Sequence, residues 1–260
     1  MRHRNSDRVA PALQDAKNLV RRIRARSGFL TFSETIDATT DAPVPLRYFS
    51  ARDFGPPVAG RRIADVGCWT GTFLRLLAPE HPMTMAGIDV VGPWLAVAQR
   101  LNPKATFVPI DSIEKIPQNL NHAYDTVYFL ETLEHLPRDL EHAAAKSLKD
   151  LLSPDGVLIL SVPVAGLAAL LDPAWYLVGH RHYRRRRLID ILQTANLTIE
   201  ECAYSGSVWE SLDFILFDVY KHLLRRPYLS PKFLSARLST RLSCRRRVDS
   251  TGIWIRARCP

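Results

Sequence analysis

Two glycines, Gly67 and Gly71, interrupt the apolar run Arg62-Ile63-Ala64-Asp65-Val66-Gly67-Cys68-Trp69-Thr70-Gly71-Thr72-Phe73, which resumes as Phe73-Leu74-Arg75-Leu76-Leu77-Ala78 at helical spacing. A buried strand, a tight turn and a helix whose start points at a ligand have this pattern. Glycine lets the chain turn sharply and lets its backbone approach something closely. Asp89, followed by Val90, lies 22 residues beyond Gly67. A carboxylate at that spacing, ending the next strand, accepts hydrogen bonds from ribose hydroxyls. Acidic, hydroxyl and imidazole groups recur where later strands should end, at Asp111-Ser112 and at Glu131-Thr132-Leu133-Glu134-His135 after Leu130. A dinucleotide does not suit the loop. Its fingerprint, counted from Gly67, needs glycine at 69 so that backbone can touch a pyrophosphate, and Trp69 stands there with Thr72 at the third glycine. A ligand without a pyrophosphate tolerates the tryptophan; a plain structural turn is the competing reading.

The elements that would carry these groups follow from periodicity. Met83–Val90 reads as a second strand, and Gly92-Pro93 starts a helix with proline in its first turn. Thr106–Ile110 is a third strand and Asp125–Leu130 a fourth. Residues 139–152 read as a helix, and Ser153-Pro154-Asp155-Gly156 turns into a fifth strand, Val157–Val162. Strands alternating with helices imply a parallel sheet with right-handed crossovers. Ligands of such sheets bind at the carboxyl ends of the strands, where the glycine loop, Asp89, Asp111 and Glu131 all fall.

The chain has 260 residues, 47% of them hydrophobic, enough for one large α/β domain with additions and too many for wholesale disorder. Cys68, Cys202, Cys244 and Cys259 lack metal-ligand spacing and are too sparse for a secreted disulfide scaffold. Reduced thiols in a cytoplasm are the expectation, and no secretory signal is visible. Residues 157–179 are long enough to imitate a membrane span, but Pro163, Asp172 and Pro173 interrupt them. The net charge of +9 is uneven: residues 1–26, 181–187 and 221–260 hold 24 of the 35 Lys and Arg. Such flanks are either solvated faces or surfaces for nucleic acid or an anionic membrane. Residues 8–25 place Val9, Leu13, Ala16, Val20 and Ile23 on one helical face, and 39–43 read as a linker. The expected division is a basic extension at 1–43 and one domain over 44–260.

Together these motifs resemble the Rossmann-like S-adenosylmethionine-dependent methyltransferases, in particular the small-molecule group that includes ubiquinone-type O-methyltransferases. Asp65-Val66-Gly67-Cys68-Trp69-Thr70-Gly71 is similar to that family's D-x-G-x-G-x-G loop, with Trp69 at the central glycine. The resemblance implies that Asp89 holds the ribose hydroxyls and that Asp111-Ser112 lie beside the adenine. It also implies that the stretch from Leu130 and Glu131 to Leu136 lines the methionine side and the acceptor entrance. Gly179-His180-Arg181-His182-Tyr183 before Leu188, Ile191, Leu192 and Ala195 resembles the family's H-x-x-x-Y/F followed by L-x-x-L-L-x-x-A-G-F, with Asn196-Leu197 for Gly-Phe. The implied fold is α/β, a doubly wound, seven-stranded, mostly parallel sheet with an antiparallel last strand at Gly252–Arg258, paired with 197–204. The forty or so residues between those strands read as an insertion, about 207–249, over the substrate mouth.

Methyl transfer from a sulfonium needs orientation, exclusion of water and, for a hydroxyl acceptor, loss of a proton. His135 is the first candidate base, ahead of His180 and His182, whose arginine-rich surroundings suggest a surface or anion-contacting role. No metal is expected. The apolar run at 165–171 with Trp175 and Tyr176 would roof the acceptor, which suits an apolar or lipid-linked molecule, and the basic termini would steer toward an anionic membrane. A nucleic-acid methyltransferase is the second reading, favoured by a pI of 9.6. Against it stand the absence of an Asn/Asp-Pro-Pro-aromatic run after the fourth strand and of a Pro-Cys pair, and the sparse aromatics in the basic segments. A non-catalytic peripheral membrane protein that keeps the fold is the third.

Overall fold

The computed structural model describes residues 44–166, 169, 179–224, 228, 230–238 and 240–260. The basic stretch 8–25, the linker and most of the expected acceptor roof lie outside them. Seven strands form one sheet: β1 (Arg62–Val66), β2 (Thr84–Val90), β3 (Thr106–Ile110), β4 (Tyr124–Leu130), β5 (Leu152–Pro163), β6 (Thr198–Ser205) and β7 (Gly252–Arg258). Their order is β3-β2-β1-β4-β5-β7-β6. β1 to β5 pair in parallel, whereas β7 runs antiparallel to both β5 and β6. The expected antiparallel last strand is therefore present with the expected bounds.

Alternation along the strands loads both faces with apolar side chains. On β4, Val127 and Phe129 join one core with helices α4 (Glu141–Leu151) and α5 (Arg185–Thr194), through Ala144, Leu148, Leu188 and Ile191. Tyr128 and Leu130 join the other, with α1 (Leu46–Phe54) and α2 (Thr72–Leu77), through Ala51, Phe54, Phe73 and Leu74. α3 (Pro93–Leu101) follows β2, with Pro93 in its first turn as expected. Between β6 and β7 stand α6 (Val208–Asp218) and the short α7 (Lys232–Ser235).

Two expected boundaries shift. The helix before β5 begins later, at Glu141, after a tight 3-10 turn over Arg138–Leu140. The expected turn at 153–156 lies inside β5 as a bulge: Tyr124 pairs with Leu152 but Thr126 with Val157, and Asp155 takes a φ of 61°. The extra residues loop out while both flanks stay in the ladder. No described helix is long and apolar enough to cross a membrane, and residues 157–163 are an inner strand.

At the amino ends of the strands, Asp125 receives the Arg62 guanidinium at 2.6 and 3.2 Å, the Arg62 amide at 2.9 Å and the Ser153 hydroxyl at 3.1 Å. The Arg62 hydrogen bond, above all, holds the Asp125 carboxyl down at about 2. A depressed carboxyl stabilises the fold above its unfolded value, near 3.9, and that contribution fades as the pH falls through the folded one. Both groups reach solvent, so Asp125→Asn should cost about 1 kcal/mol at neutral pH. In thermal unfolding the variant should lie below the parent at pH 7 and converge with it near pH 2; an equal gap at both would remove the charge from the account.

Candidate active site

The loop after β1 is shaped by three alternate residues with special backbones. Gly67 and Gly71 have φ of 78° and 70°, and Trp69 between them 47°, a left-handed conformation that few side chains adopt. A Cβ on Gly67 would stand 2.2 Å from the Thr132 hydroxyl oxygen, so only glycine fits where the turn after β1 meets the turn after β4. The Trp69 amide donates to Asp89 Oδ2 and the Val90 amide to Oδ1, each at 2.7 Å. The indole of Trp69 lies on that of Trp94, 4.7 Å between centroids and 15° from parallel. The tryptophan thus leaves its ring against the first turn of α3 and its amide on the carboxylate.

Burial raises the Asp89 carboxyl, against the lowering effect of those two amides. Asp65, 3% exposed at the carboxyl end of β1, is pushed up to about 8 by burial and by Asp89. Cys68 is buried and its thiol shifted upward by burial, Asp65 and Asp89. Val90 and Val91 are 42% and 69% exposed at the end of β2. Asp111, at the end of neighbouring β3, is open to solvent and 3.7 Å from Lys115; Ser112 follows it. A carboxylate beside an open apolar edge has the chemistry that an adenosine-bearing ligand would need.

On the other side of β1, β4 ends at Leu130 and the chain reverses through Glu131, whose φ is 49°. Glu131 accepts from the Ser161 hydroxyl at 2.7 Å, and its amide donates to the Ser161 carbonyl. A single tight turn, Leu133–His135, then places Glu134 inward and His135 outward. Glu134 is 2% exposed, and neither of its oxygens has a hydrogen-bond partner among the described residues. Burial, then Glu131, raises its carboxyl well above the ordinary range. His135 is shifted downward by burial, Arg181 and Arg47, the first tempered by a side chain 53% open. Its ring meets His180 edge to face at 4.4 Å. Arg47 of α1 faces Glu131, Glu210 and Glu134, and Glu210 of α6 also accepts from Thr251. Glu210 of α6 and the turn after β4 thus act on the same arginine.

Four groups that spacing along the chain did not bring together hold this side. Glu141, 2% exposed, accepts from Tyr183 at 2.9 Å and Arg187 at 2.8 Å, and lies 3.1 Å from Arg181. Arg181 and Tyr183 also donate to the Leu133 carbonyl, and Arg181 to that of Leu136. Arg181 and Arg187, expected at a surface, instead bind the segment before α5 to the turn after β4. That clamp sets His180 beside His135. The ligand-capable atoms of Glu134, His135 and His180 all lie within 4.8 Å of one another, and His182 is outside the group. Spacing along the chain did not show this grouping, because Glu134 and His135 are adjacent while His180 arrives from 45 residues away.

An open, mostly parallel sheet with a glycine turn after β1, a carboxylate ending β2 and polar groups after β4 is the Rossmann-like methyltransferase fold. The chain belongs to the methyltransferase domain family, whose model matches residues 38–202, and it is an S-adenosylmethionine-dependent methyltransferase. A ubiquinone biosynthesis O-methyltransferase of Xanthomonas campestris pv. campestris is 31% identical over 184 residues, covering 65% of this chain and 73% of that one. The fold is similar to an S-adenosylmethionine-dependent methyltransferase from Mesorhizobium loti, with TM-score 0.56 at 17% identity over 82% of this chain and 98% of the other. It is also similar to Haemonchus contortus phosphoethanolamine N-methyltransferase 2 bound to S-adenosylhomocysteine, with TM-score 0.61 at 15% identity over 93% and 60%.

Removing one partner from a buried ion pair leaves the others uncompensated. Glu141→Gln should lower stability by about 3 kcal/mol, and limited proteolysis should open the 179–184 segment first. A variant as stable and as resistant as the parent would show that the clamp does not hold the mouth.

Proposed function

We propose that this enzyme transfers a methyl group from S-adenosylmethionine to a hydroxyl oxygen of a small, largely apolar molecule. One observation carries the reading: Asp89, the Gly67–Gly71 turn and the Glu131–His135 turn end three adjacent strands, β2, β1 and β4. Sugar carboxylate, donor turn and acceptor turn therefore stand in line along one sheet edge, where the strand order reverses and ligands of this architecture bind. The name of the Xanthomonas relative, an O-methyltransferase, supports oxygen as the target.

S-adenosylmethionine supplies, when bound, a methyl group already activated on a sulfonium. Asp89 would hold the ribose hydroxyls, its carboxylate fixed by the Trp69 and Val90 amides, and Val90 with Val91 would support the adenine. Glu131 would face the acceptor side, where its oxygen held by Ser161 resists movement. α6 would cover the acceptor with its apolar face and hold water away. The acceptor proton would leave at the mouth lined by His135 and His180. Holding the reacting atoms aligned and dry supplies most of what this displacement asks of a protein.

Anionic membrane contact would not use every arginine of the C-terminal segment. Arg256 and Arg258 are paired with Glu201 and Glu200, and Arg247 with Asp249, so such contact would fall to the exposed Phe233 and Val248 region of the insertion.

Two measurements test the reading. Asp89→Ala should weaken donor binding by about 1–3 kcal/mol in calorimetry through the lost ribose hydrogen bonds, and unchanged affinity would take Asp89 out of the site. Hydroxylated aromatics with and without apolar tails should release S-adenosylhomocysteine from the donor. Turnover of amines alone would reassign the acceptor atom, and none with any acceptor would end the catalytic reading.

A further inference from the structure

We propose that Trp94 is a positioning residue of the donor site. Its indole N–H keeps the Asp89 carboxylate turned toward the sugar of the donor, and Trp69 holds the indole in place. The inference rests on the reading of Asp89 as the acceptor of the ribose hydroxyls. Nothing in the glycine pattern points to Trp94, which follows Asp89 in the first turn of α3.

Geometry is the first ground, because two neighbours fix the indole. The ring of Trp69 lies on it, 4.7 Å between centroids and 15° from parallel. The other neighbour is Gly92, where a Cβ would stand 2.3 Å from two ring atoms of Trp94. The same Cβ would be 2.5 Å from Cε2, the carbon bonded to the indole nitrogen. The Gly92 backbone is extended, with a φ of −171°, which any residue adopts. Glycine is therefore needed there for space, and a side chain at that position would push the indole from its seat.

The indole nitrogen is the second ground. Trp94 Nε1 is buried and makes no hydrogen bond of ordinary geometry among the described residues. A buried indole N–H ordinarily finds a partner. Burial pushes the Asp89 carboxyl up, and the Trp69 amide, the Val90 amide and this N–H act against it. The N–H thus steadies the negative charge without filling a lone pair. An ionised carboxylate offers about four acceptor sites. The two amides take one on each oxygen, at 2.7 Å, which leaves one on each for the two hydroxyls of a ribose.

Trp69 has a matching part. Its φ of 47° is left-handed, a conformation that glycine adopts more readily and that persists elsewhere only where the surroundings over-determine it. Its amide is on Asp89 and its ring on Trp94, so it supports the carboxylate directly and again through the indole. The residue that departs from the glycine pattern is in this way part of the sugar site. Among the described residues, Asp65 at the end of β1 and Cys68 of the loop are the titratable groups that act with Asp89. Asp65 stays protonated below about 8 and the Cys68 thiol is shifted upward. Neither changes charge over the acid range in which a raised aspartate titrates.

Calorimetry of S-adenosylmethionine binding to the full chain, from about pH 5 to 8, compares the parent with Trp94→Phe, Asp89→Ala and the double variant. Trp94→Phe keeps an aromatic ring and loses the N–H, and should weaken binding about fivefold at neutral pH. Removing a donor to the charged form raises the carboxyl. The loss of affinity on acidification should therefore begin at a higher pH in Trp94→Phe than in the parent. In the Asp89→Ala background the same substitution should change affinity less than about twofold, because its effect runs through the carboxylate. Trp94 replaced by 3-benzothienylalanine, which keeps the bicyclic ring with sulfur in place of N–H, should give the same results where phenylalanine disturbs the fold. Unchanged affinity in these Trp94 variants overturns the proposal and leaves Asp89 in the site. So does a weakening that leaves the acid limb unmoved, or that is equally large without Asp89. Unchanged affinity in Asp89→Ala instead removes the reading on which the proposal rests.

Discussion

The contact between Gly67 and Thr132 is the constraint on which the site depends. The turn after β1 and the turn after β4 pass so close that a single methyl on Gly67 would fall 2.2 Å from the Thr132 oxygen. Thr132 is held there by its hydroxyl, which donates to the Leu130 carbonyl at 2.8 Å. One turn carries the groups suited to the donor and the other those suited to the acceptor. Their contact fixes how far apart two bound molecules would lie, and an in-line displacement is sensitive to errors of an ångström. The φ of 78° at Gly67 and of 49° at Glu131 are local costs of bringing the turns together.

Two buried glutamates show how the fold separates structure from chemistry. Glu141 starts α4 with a tyrosine and two arginines upon it, and through Arg181 and Tyr183 it grips the carbonyls of the Leu133–Leu136 turn. Glu134 sits on that same turn with both oxygens unpartnered among the described residues. A fully satisfied buried network rigidifies what it touches, and an unsatisfied polar group is expensive. The first glutamate thus makes the turn stiff enough to keep the second in an unfavourable place. Strain and unmet polarity persist only where their surroundings over-determine them.

Much of this was legible in the chain because it is local. Strand, turn and helix around Gly67, the carboxylate at Asp89, and the ends of β3 and β4 follow from runs of apolar residues broken by glycine, proline and acids. The mostly parallel sheet followed from alternation, and its antiparallel last strand from the family resemblance. What escaped needed distant parts of the chain to meet. Trp69 read as an obstacle until Trp94 gave its ring a place 25 residues on. Arg181 and Arg187 read as surface charge because their partner, Glu141, lies some forty residues earlier. His180 gained meaning only when folded against His135. The bulge in β5 escaped because a Ser-Pro-Asp-Gly turn and a looped-out bulge use the same residues.

The same non-locality changes what the positive charge means. A pI of 9.6 suggests a nucleic-acid surface when arginines are only counted. In the fold, Arg62 is bound to Asp125, Arg181 and Arg187 to Glu141, Arg256 to Glu201 and Arg258 to Glu200. Charges paired within the molecule contribute little to an electrostatic footprint, which requires cations arrayed on one face and free to meet phosphates. Arginine serves here chiefly as a planar, many-donor connector between strands, turns and helices, a use for which its guanidinium suits it better than lysine. These paired arginines therefore reflect how the sheet edges and the turn after β4 are fastened, and the acceptor is better inferred from Glu131, Glu134, His135 and His180 than from the net charge.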